Sequence, residues 1–194
     1  MEKGLIRKQI RATLVFLAFS SILFGLCYPG LVTLILQVAF PAEANGSLVI
    51  INNQVRGSML LGQQLSQDRY FWSRPADSKS GSNLSPANPK QFALVKARIE
   101  ELSERTPSQN RLVPIDLVTT SASGLDPDIS LNAAWYQVPR VAKARHLDEK
   151  VVQKIISEEC ANSLWGFSTP HVNVLKLNIA LDKISQNDHG NNKT

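Results

Sequence analysis

The sequence predicts a small mixed α/β (α+β) domain carried on a single N-terminal transmembrane helix. Three observations lead to this fold class: an uncharged apolar run over residues 12–36, basic residues just before it, and alternating strand-like and helix-like patterns after it. The chain has 194 residues, of which 43% are apolar, so one ordinary domain with its own core fits beside the membrane segment.

The apolar run is long enough to cross a bilayer. Fourteen of the 25 residues from Ala12 to Leu36 are Leu, Ile, Val or Phe, and none is charged. A helix of this length rises roughly 37 Å, whereas a hydrocarbon core is about 30 Å thick. Pro29-Gly30 should kink it. A cleaved signal peptide is the alternative, because Ala42-Glu43-Ala44 has the shape of a cleavage site. The length of the run favours an uncleaved anchor.

The charges around the run predict its orientation. Residues 1–11 contain four basic side chains and one acidic one, and the first charge after the run is Glu43. The positive-inside rule therefore puts the N-terminus in the cytoplasm and the rest outside. We expect residues 1–11 to be cytoplasmic, 12–36 to span the membrane, 40–184 to form the extracytoplasmic domain and 185–194 to form a flexible tail.

The first half of the outer domain begins with a strand pattern and ends with a helix pattern. Leu48–Ile51 is a short apolar strand followed by the turn signal Asn52-Asn53. A loop rich in Ser, Pro, Asn and Gly follows over residues 73–89, and Asn88 then caps a helix that ends near Arg105. Four residues at helical spacing should form the core face of this helix: Phe92, Val95, Ile99 and Leu102.

The second half alternates the same two patterns. We predict a strand over residues 115–118, a loop from Ser121 to Asp128, a helix capped by Ser130 and a separate short turn opened by Pro139. Asp148 should cap the next helix, and a third strand over 172–174 should precede a final helix. The residues expected to face the core on these last two helices are Val151, Val152, Ile155 and Ile156, then Leu177, Leu181 and Ile184.

Several function classes are excluded by composition. Residues 43–194 carry 17 basic and 15 acidic side chains, so no cationic face for nucleic acid is expected. Two cysteines rule out a disulfide scaffold and a zinc site made of three or four cysteines from one chain. No G-x-x-x-x-G-K-[ST] motif is present, and the three histidines lack metal-ligand spacing. We expect no catalytic constellation, metal or cofactor belonging to this chain.

Two polar patches allow more than one interpretation. The loop Ser121–Asp128 combines hydroxyls with an acid, but it lacks the leading glycine of a nucleophile elbow. A structural loop, with Asp126 and Ser130 capping backbone groups, is favoured over a membrane-anchored extracytoplasmic hydrolase, which stays the alternative function. The segment Gln137–Arg145 holds three cations that could bind an anion or a partner's acids, or form a solvated helix face.

A series of short segments in a fixed order marks the whole chain. They are Tyr28-Pro29, Phe40-Pro41, Ala44–Leu48, Arg56–Ser58, Leu61–Gln63, Tyr70–Pro75, Gly81–Leu84, Asn88-Pro89, Asp116–Thr119, Ser123–Ser130, Gln137–Ala142, Ala144-Arg145, Val172–Leu175, Leu177-Asn178 and Ala180–Asp182. In their number and order they resemble the C subunits of the Kdp-type potassium-transporting P-type ATPases. One departure is the loop over residues 75–81, which is shorter than in many relatives.

The resemblance implies an accessory, non-catalytic subunit of an ATP-driven potassium uptake pump in the bacterial inner membrane. Its implied partners are a potassium-conducting subunit and an ATP-hydrolysing subunit, with a small single-helix subunit as a further candidate. The family is described as a catalytic chaperone that raises the ATP affinity of the ATP-hydrolysing subunit, so ATP would be reached through the complex. The expected outer location of the domain argues against direct contact with ATP.

A helper without an active site must act by contact, and the outer domain should supply much of that contact. Polar residues held by rigid turns are the expected interface residues: Asn83, Asp126 and Arg140. Arg140 is the strongest candidate, since a planar guanidinium suits bidentate pairing with a carboxylate or with carbonyls. The alternative is that all three residues serve the internal structure of the domain.

Overall fold

A computed structural model describes residues 2–76, 84–106, 112–161 and 169–191. The chain divides into two compact units, residues 1–48 and 49–194, which are treated separately below.

The N-terminal unit is almost entirely helical. Helix α1 (Glu2–Ile22) passes through a π-helical turn at Leu23–Cys27 into α2 (Tyr28–Ala39), and a single turn, α3 (Pro41–Ala44), follows. Within the described residues one continuous helical stretch, Gly4–Ala39, is long and apolar enough by length and composition to cross a membrane. The expected span over 12–36 lies inside it. The wider π turn ends two residues before Pro29, whose missing N–H interrupts the α-helical ladder.

The second unit opens with the predicted strand and turn. Strand β1 (Leu48–Ile51) pairs with β2 (Gln54–Ser58) in a two-stranded sheet. The connecting residues Asn52 and Asn53 have φ values of 52° and 60°, the left-handed conformation that a two-residue hairpin turn requires. Asparagine tolerates this conformation better than most residues, which is why the turn signal was readable.

Helix α4 (Pro89–Arg105) has the predicted bounds and cap, since the Asn88 Oδ1 accepts a hydrogen bond from the Lys90 N–H at 2.9 Å. Its predicted core face is only partly correct. Leu102 is buried and Val95 is half-buried, but Phe92 and Ile99 are exposed. Helical periodicity identifies an apolar face, but it does not reveal how far along the helix the core extends.

The strand predicted over residues 115–118 is wrong. Ile115–Leu117 forms one 3₁₀ turn, closed by the Val118 N–H donating to the Ile115 carbonyl at 3.1 Å. The Asp116 carboxylate also accepts the Ser130 N–H at 2.9 Å. This bond joins the turn to the start of the next helix.

The central sheet has three short antiparallel strands in the order β3-β5-β4: β3 (Asp128–Ser130), β5 (His171–Asn173) and β4 (Cys160–Ala161). Ile129 lies opposite Val172, and Cys160 also lies opposite Val172. The prediction of a strand at 172–174 is confirmed to within one residue. Strands β3 and β4 were not predicted; β3 begins at Asp128, which the sequence analysis assigned to the Ser121–Asp128 loop.

Helix α5 (Leu131–Arg145) starts at the predicted cap, where the Ala133 N–H donates to the Ser130 Oγ at 3.2 Å. The separate turn expected at Pro139 is wrong, because Pro139 lies inside this helix. Val138 and Val141 on either side of the proline are fully packed in the core. That packing outweighs the loss of one backbone hydrogen bond.

Two further helices complete the core: α6 (Glu149–Glu159), capped by Asp148, and α7 (Val174–Asn191). The predicted core residues Val152, Ile155, Ile156, Leu177 and Leu181 are buried, whereas Val151 is exposed. Helix α7 continues past Ser185, the expected start of the flexible tail. The flexibility of that tail stays a prediction.

The two adjacent valines of α6 provide a test of this core. Val152 is 0% exposed and Val151 is 38% exposed. We expect Val152→Ala to lower the free energy of unfolding by about 2 kcal/mol, since two buried methyl groups are lost. Val151→Ala is the matched control and should change it by less than about 0.5 kcal/mol. Denaturant unfolding of the full-length chain in detergent measures both, and equal effects would contradict the described packing.

Candidate functional site

A cluster of polar side chains surrounds residues 68–74, here called the strap. The strap has the sequence Asp-Arg-Tyr-Phe-Trp-Ser-Arg and belongs to no helix or strand. Phe71 is fully buried, so the backbone N–H and C=O groups in the middle of the strap need partners other than water. Side chains of α5 and α7 supply those partners.

Two amide side chains pair with the middle of the strap as a neighbouring strand would. The Phe71 N–H donates to the Asn178 Oδ1 at 2.8 Å, and the Asn178 Nδ2 donates back to the Phe71 carbonyl at 3.0 Å. Gln137 repeats the arrangement one residue on: it accepts the Trp72 N–H at 2.7 Å and donates to the Trp72 carbonyl at 3.2 Å. Both amides are buried, which makes these four bonds hard to replace by water.

Arg140 holds the first part of the strap. Its Nη1 donates to the carbonyls of Asp68 at 2.6 Å and Tyr70 at 3.1 Å, and its Nη2 donates to the Gln137 Oε1 at 2.7 Å. The guanidinium carbon lies 4.0 Å from the centre of the Trp72 ring, within cation–π distance. Only 3% of the Arg140 side chain is exposed.

The charge of Arg140 is maintained despite this burial. Burial lowers the pKa of Arg140 to about 10; the Asp68 carboxylate opposes this shift and the Arg105 guanidinium adds to it. The pKa still lies well above neutral pH, so the side chain is a cation under physiological conditions. The Asp68 Oδ1 lies 4.0 Å from Nη1 and provides a counter-charge.

A second arginine fixes the neighbouring strap residues to α7. The Arg145 Nε donates to the Arg69 carbonyl at 2.6 Å, and its Nη2 pairs with the Asp182 carboxylate at 2.8 Å. The Tyr70 hydroxyl donates to the other oxygen of Asp182 at 3.3 Å. Two of the three cations of the 137–145 patch thus point inward, which neither interpretation of that patch anticipated.

The end of the strap contacts the Ser121–Asp128 loop. The Arg74 Nη1 lies 3.3 Å from the Asp126 Oδ2, and its Nη2 donates to the Thr120 carbonyl at 3.2 Å. Asp126 also accepts the Asp128 N–H at 3.1 Å, which confirms the expected capping role in this loop. A shallow hollow of about 620 Å³ lies here, lined in part by Leu60, Leu61 and Leu125.

The residues predicted as interface contacts lie in three different settings. Arg140 lies in the interior and Asp126 lies half-buried beside the hollow, whereas Asn83 falls outside the described residues. An interface role for these residues stays a prediction; the structure shows an internal role for Arg140 that uses the same guanidinium. The sequence analysis did not predict that Gln137 and Asn178 bond to the strap backbone. An amide on an otherwise apolar helix face could have indicated a buried polar contact at both positions.

The loop and its surroundings do not form a recognisable catalytic arrangement within the described ranges. The Ser123 Oγ accepts the Leu125 N–H at 3.1 Å and lies 3.4 Å from the Ser121 Oγ, while Asp126 is engaged with Arg74 and the backbone. In that same part of the chain, no group of three His, Cys, Asp or Glu side chains could hold a metal ion. The geometry suits a rigid loop that supports a contact surface.

Replacing Arg140 tests whether the strap depends on it. We expect Arg140→Ala to lower the free energy of unfolding of the full-length chain by about 3–5 kcal/mol, since two strap carbonyls and the buried Gln137 amide lose their donor and the Trp72 ring loses its packing partner. Arg140→Lys should recover little of this, because an ammonium cannot bridge two carbonyls and an amide in one plane. Arg105→Ala is the control: Arg105 also stacks on Trp72 and pairs with Asp68, but it is 40% exposed. Arg105→Ala should lower the free energy of unfolding by at most about 1 kcal/mol.

Gly62 offers a second test, where the segment before the strap meets the Ser121–Asp128 loop. Its N–H donates to the Leu125 carbonyl at 2.8 Å, and a Cβ built on it would lie 2.4 Å from the Asp126 carbonyl oxygen. Gly62→Ala must therefore push the backbone at residue 62 away from the backbone at Asp126. We expect this to lower the free energy of unfolding by about 1–3 kcal/mol. Leu61→Ala, at an exposed neighbour, is the control. Equal thermal midpoints for wild type and Gly62→Ala would contradict the close approach.

Comparison with known proteins places the chain in a family. The family model described as "K+-transporting ATPase, c chain" matches residues 10–183. The Potassium-transporting ATPase KdpC subunit of Herpetosiphon aurantiacus is 47% identical over 94% of this chain and 100% of its own length. The subunit of the same name from Dechloromonas aromatica is 47% identical over 84% of this chain and 90% of its own length. The chain therefore belongs to the family of C subunits of the K+-transporting ATPase.

Proposed function

We propose that this chain is a non-catalytic accessory subunit that assembles and stabilises an ATP-driven potassium uptake pump. Its partners are the potassium-conducting and ATP-hydrolysing subunits, with a small single-helix subunit as a third candidate. The observation that carries the proposal is family membership over residues 10–183. The internal use of the polar clusters supports it, because Gln137, Arg140 and Asn178 bind the domain's own backbone instead of lining a reaction site.

The proposal includes a chaperone effect on catalysis, in which the subunit raises the ATP affinity of the ATP-hydrolysing subunit. Residues 1–11 carry the basic charge and the first charge after the apolar run is Glu43, which supports an inner-membrane anchor with the α/β domain outside. ATP is on the opposite side. The effect on ATP affinity then passes through the membrane helix or through the potassium-conducting subunit, without ATP binding to this chain.

The proposed function is tested on the purified complex. A tag on the full-length chain should recover two larger membrane proteins in fixed ratio. A complex prepared without this chain should show a higher KM for ATP than the complete complex, and adding the chain back should restore the lower value. A tagged chain that elutes alone would overturn the subunit assignment. An unchanged KM would remove only the chaperone effect.

The proposed orientation has its own test. In a Cys27→Ser, Cys160→Ser background, Asn191→Cys places one thiol near the C-terminus. We expect an impermeant thiol reagent to label it in intact cells whose outer barrier has been opened. Labelling that requires lysis of the inner membrane would mean that the domain faces the cytoplasm. Mass spectrometry of the same protein should show that the segment before Asn45 is retained.

A further inference from the structure

The β1–β2 hairpin exposes an apolar face that its own domain does not cover. The two-residue turn at Asn52-Asn53 places Ile50 opposite Val55, and Leu48 lies two residues from Ile50 on the same side. Leu48, Ile50 and Val55 are 51%, 61% and 61% exposed. We call these three residues the hairpin face. The other face of the ribbon carries the half-buried Val49 and Ile51, so the hairpin face is the side on which a further element can still pack.

The position of the hairpin in the chain limits what can cover it. Eight residues, 40–47, separate the candidate membrane span Gly4–Ala39 from Leu48. Fully extended, they would reach at most about 29 Å. They are also folded back on themselves, since the Ser47 N–H donates to the Ala42 carbonyl at 2.8 Å and the Asn45 Nδ2 donates to the Gln37 Oε1 at 3.2 Å. The hairpin therefore starts close to the membrane boundary.

The composition of the hairpin favours a protein surface over lipid. Segments that lie in the lipid interface carry Trp or Tyr together with several Lys or Arg residues. Residues 48–58 contain no aromatic residue and a single cation, Arg56. Depletion of charge around exposed aliphatic side chains is instead typical of the buried centre of a protein interface.

We propose that the hairpin face docks on an apolar surface of a membrane subunit of the same pump, at the outer boundary of the membrane. This inference rests on the proposed function and adds to it the surface through which the domain makes contact. The hairpin face differs from the polar residues predicted as contacts from the sequence. Its aliphatic side chains lose water on docking without leaving a buried charge unpaired.

Site-specific crosslinking tests the docking directly. A photo-reactive benzoylphenylalanine replaces Val55 in the full-length chain, and the complex is irradiated in native membranes. The same probe at Phe92, which is 71% exposed on α4, is the matched control. We expect adducts with a membrane subunit of the pump from position 55 and at most a tenth as many from position 92. Equal yields from both positions, lipid adducts alone or no adducts would overturn the proposal.

A substitution gives a second, independent measurement. Val55→Asp should reduce the amount of pump subunits recovered with the tagged full-length chain by roughly tenfold or more, whereas the β-branched control Val55→Thr should change it less than about threefold. Normal recovery with Val55→Asp would overturn the docking inference alone. Failure of the wild-type chain to recover any pump subunit would instead overturn the proposed function.

Discussion

The structure of the domain depends on side chains that replace a missing strand. The strap over residues 68–74 enters the core at Phe71 without a ladder partner, and Gln137, Arg140 and Asn178 bond to its backbone. Leaving one such buried group unpaired costs about 1–3 kcal/mol. The loss of several of these bonds would therefore remove a large part of the free energy of unfolding of a domain. Because the bonds come from both α5 and α7, the strap also fixes the two helices relative to each other.

This dependence explains why α5 continues through Pro139. Gln137 and Arg140 are three residues apart, so they share one helix face only if the helix is unbroken between them. A turn at Pro139, as the sequence suggested, would send the two side chains in different directions. Proline removes one backbone bond, but the continuous helix gains the strap contacts and the burial of Val138 and Val141. Tertiary packing thus outweighs a strong local signal.

The elements that sequence reasoning predicted correctly are those with local causes. The caps at Asn88, Ser130 and Asp148 bond to N–H groups two or three residues away, and the long apolar run needs no partner to be recognised. The strap contacts join residues 65 and 72 positions apart in the chain, as for Trp72 with Gln137 and Asp68 with Arg140. No periodicity encodes such pairs. The sequence therefore marked Arg140 as notable but could not tell whether its guanidinium points inward or outward.

Further hydrogen bonds connect the β1–β2 hairpin to the rest of the domain. The Gln63 side chain donates to the Arg56 carbonyl of β2 at 2.9 Å, and the Ser73 hydroxyl of the strap donates to the Gln63 carbonyl, also at 2.9 Å. The Asn173 side chain of β5 holds the Met59 carbonyl at 2.9 Å. The base of the hairpin is therefore bonded to both the strap and the central sheet. A partner that docks on the hairpin face meets a ribbon already ordered by the core, so less conformational entropy is lost on binding than with a free loop.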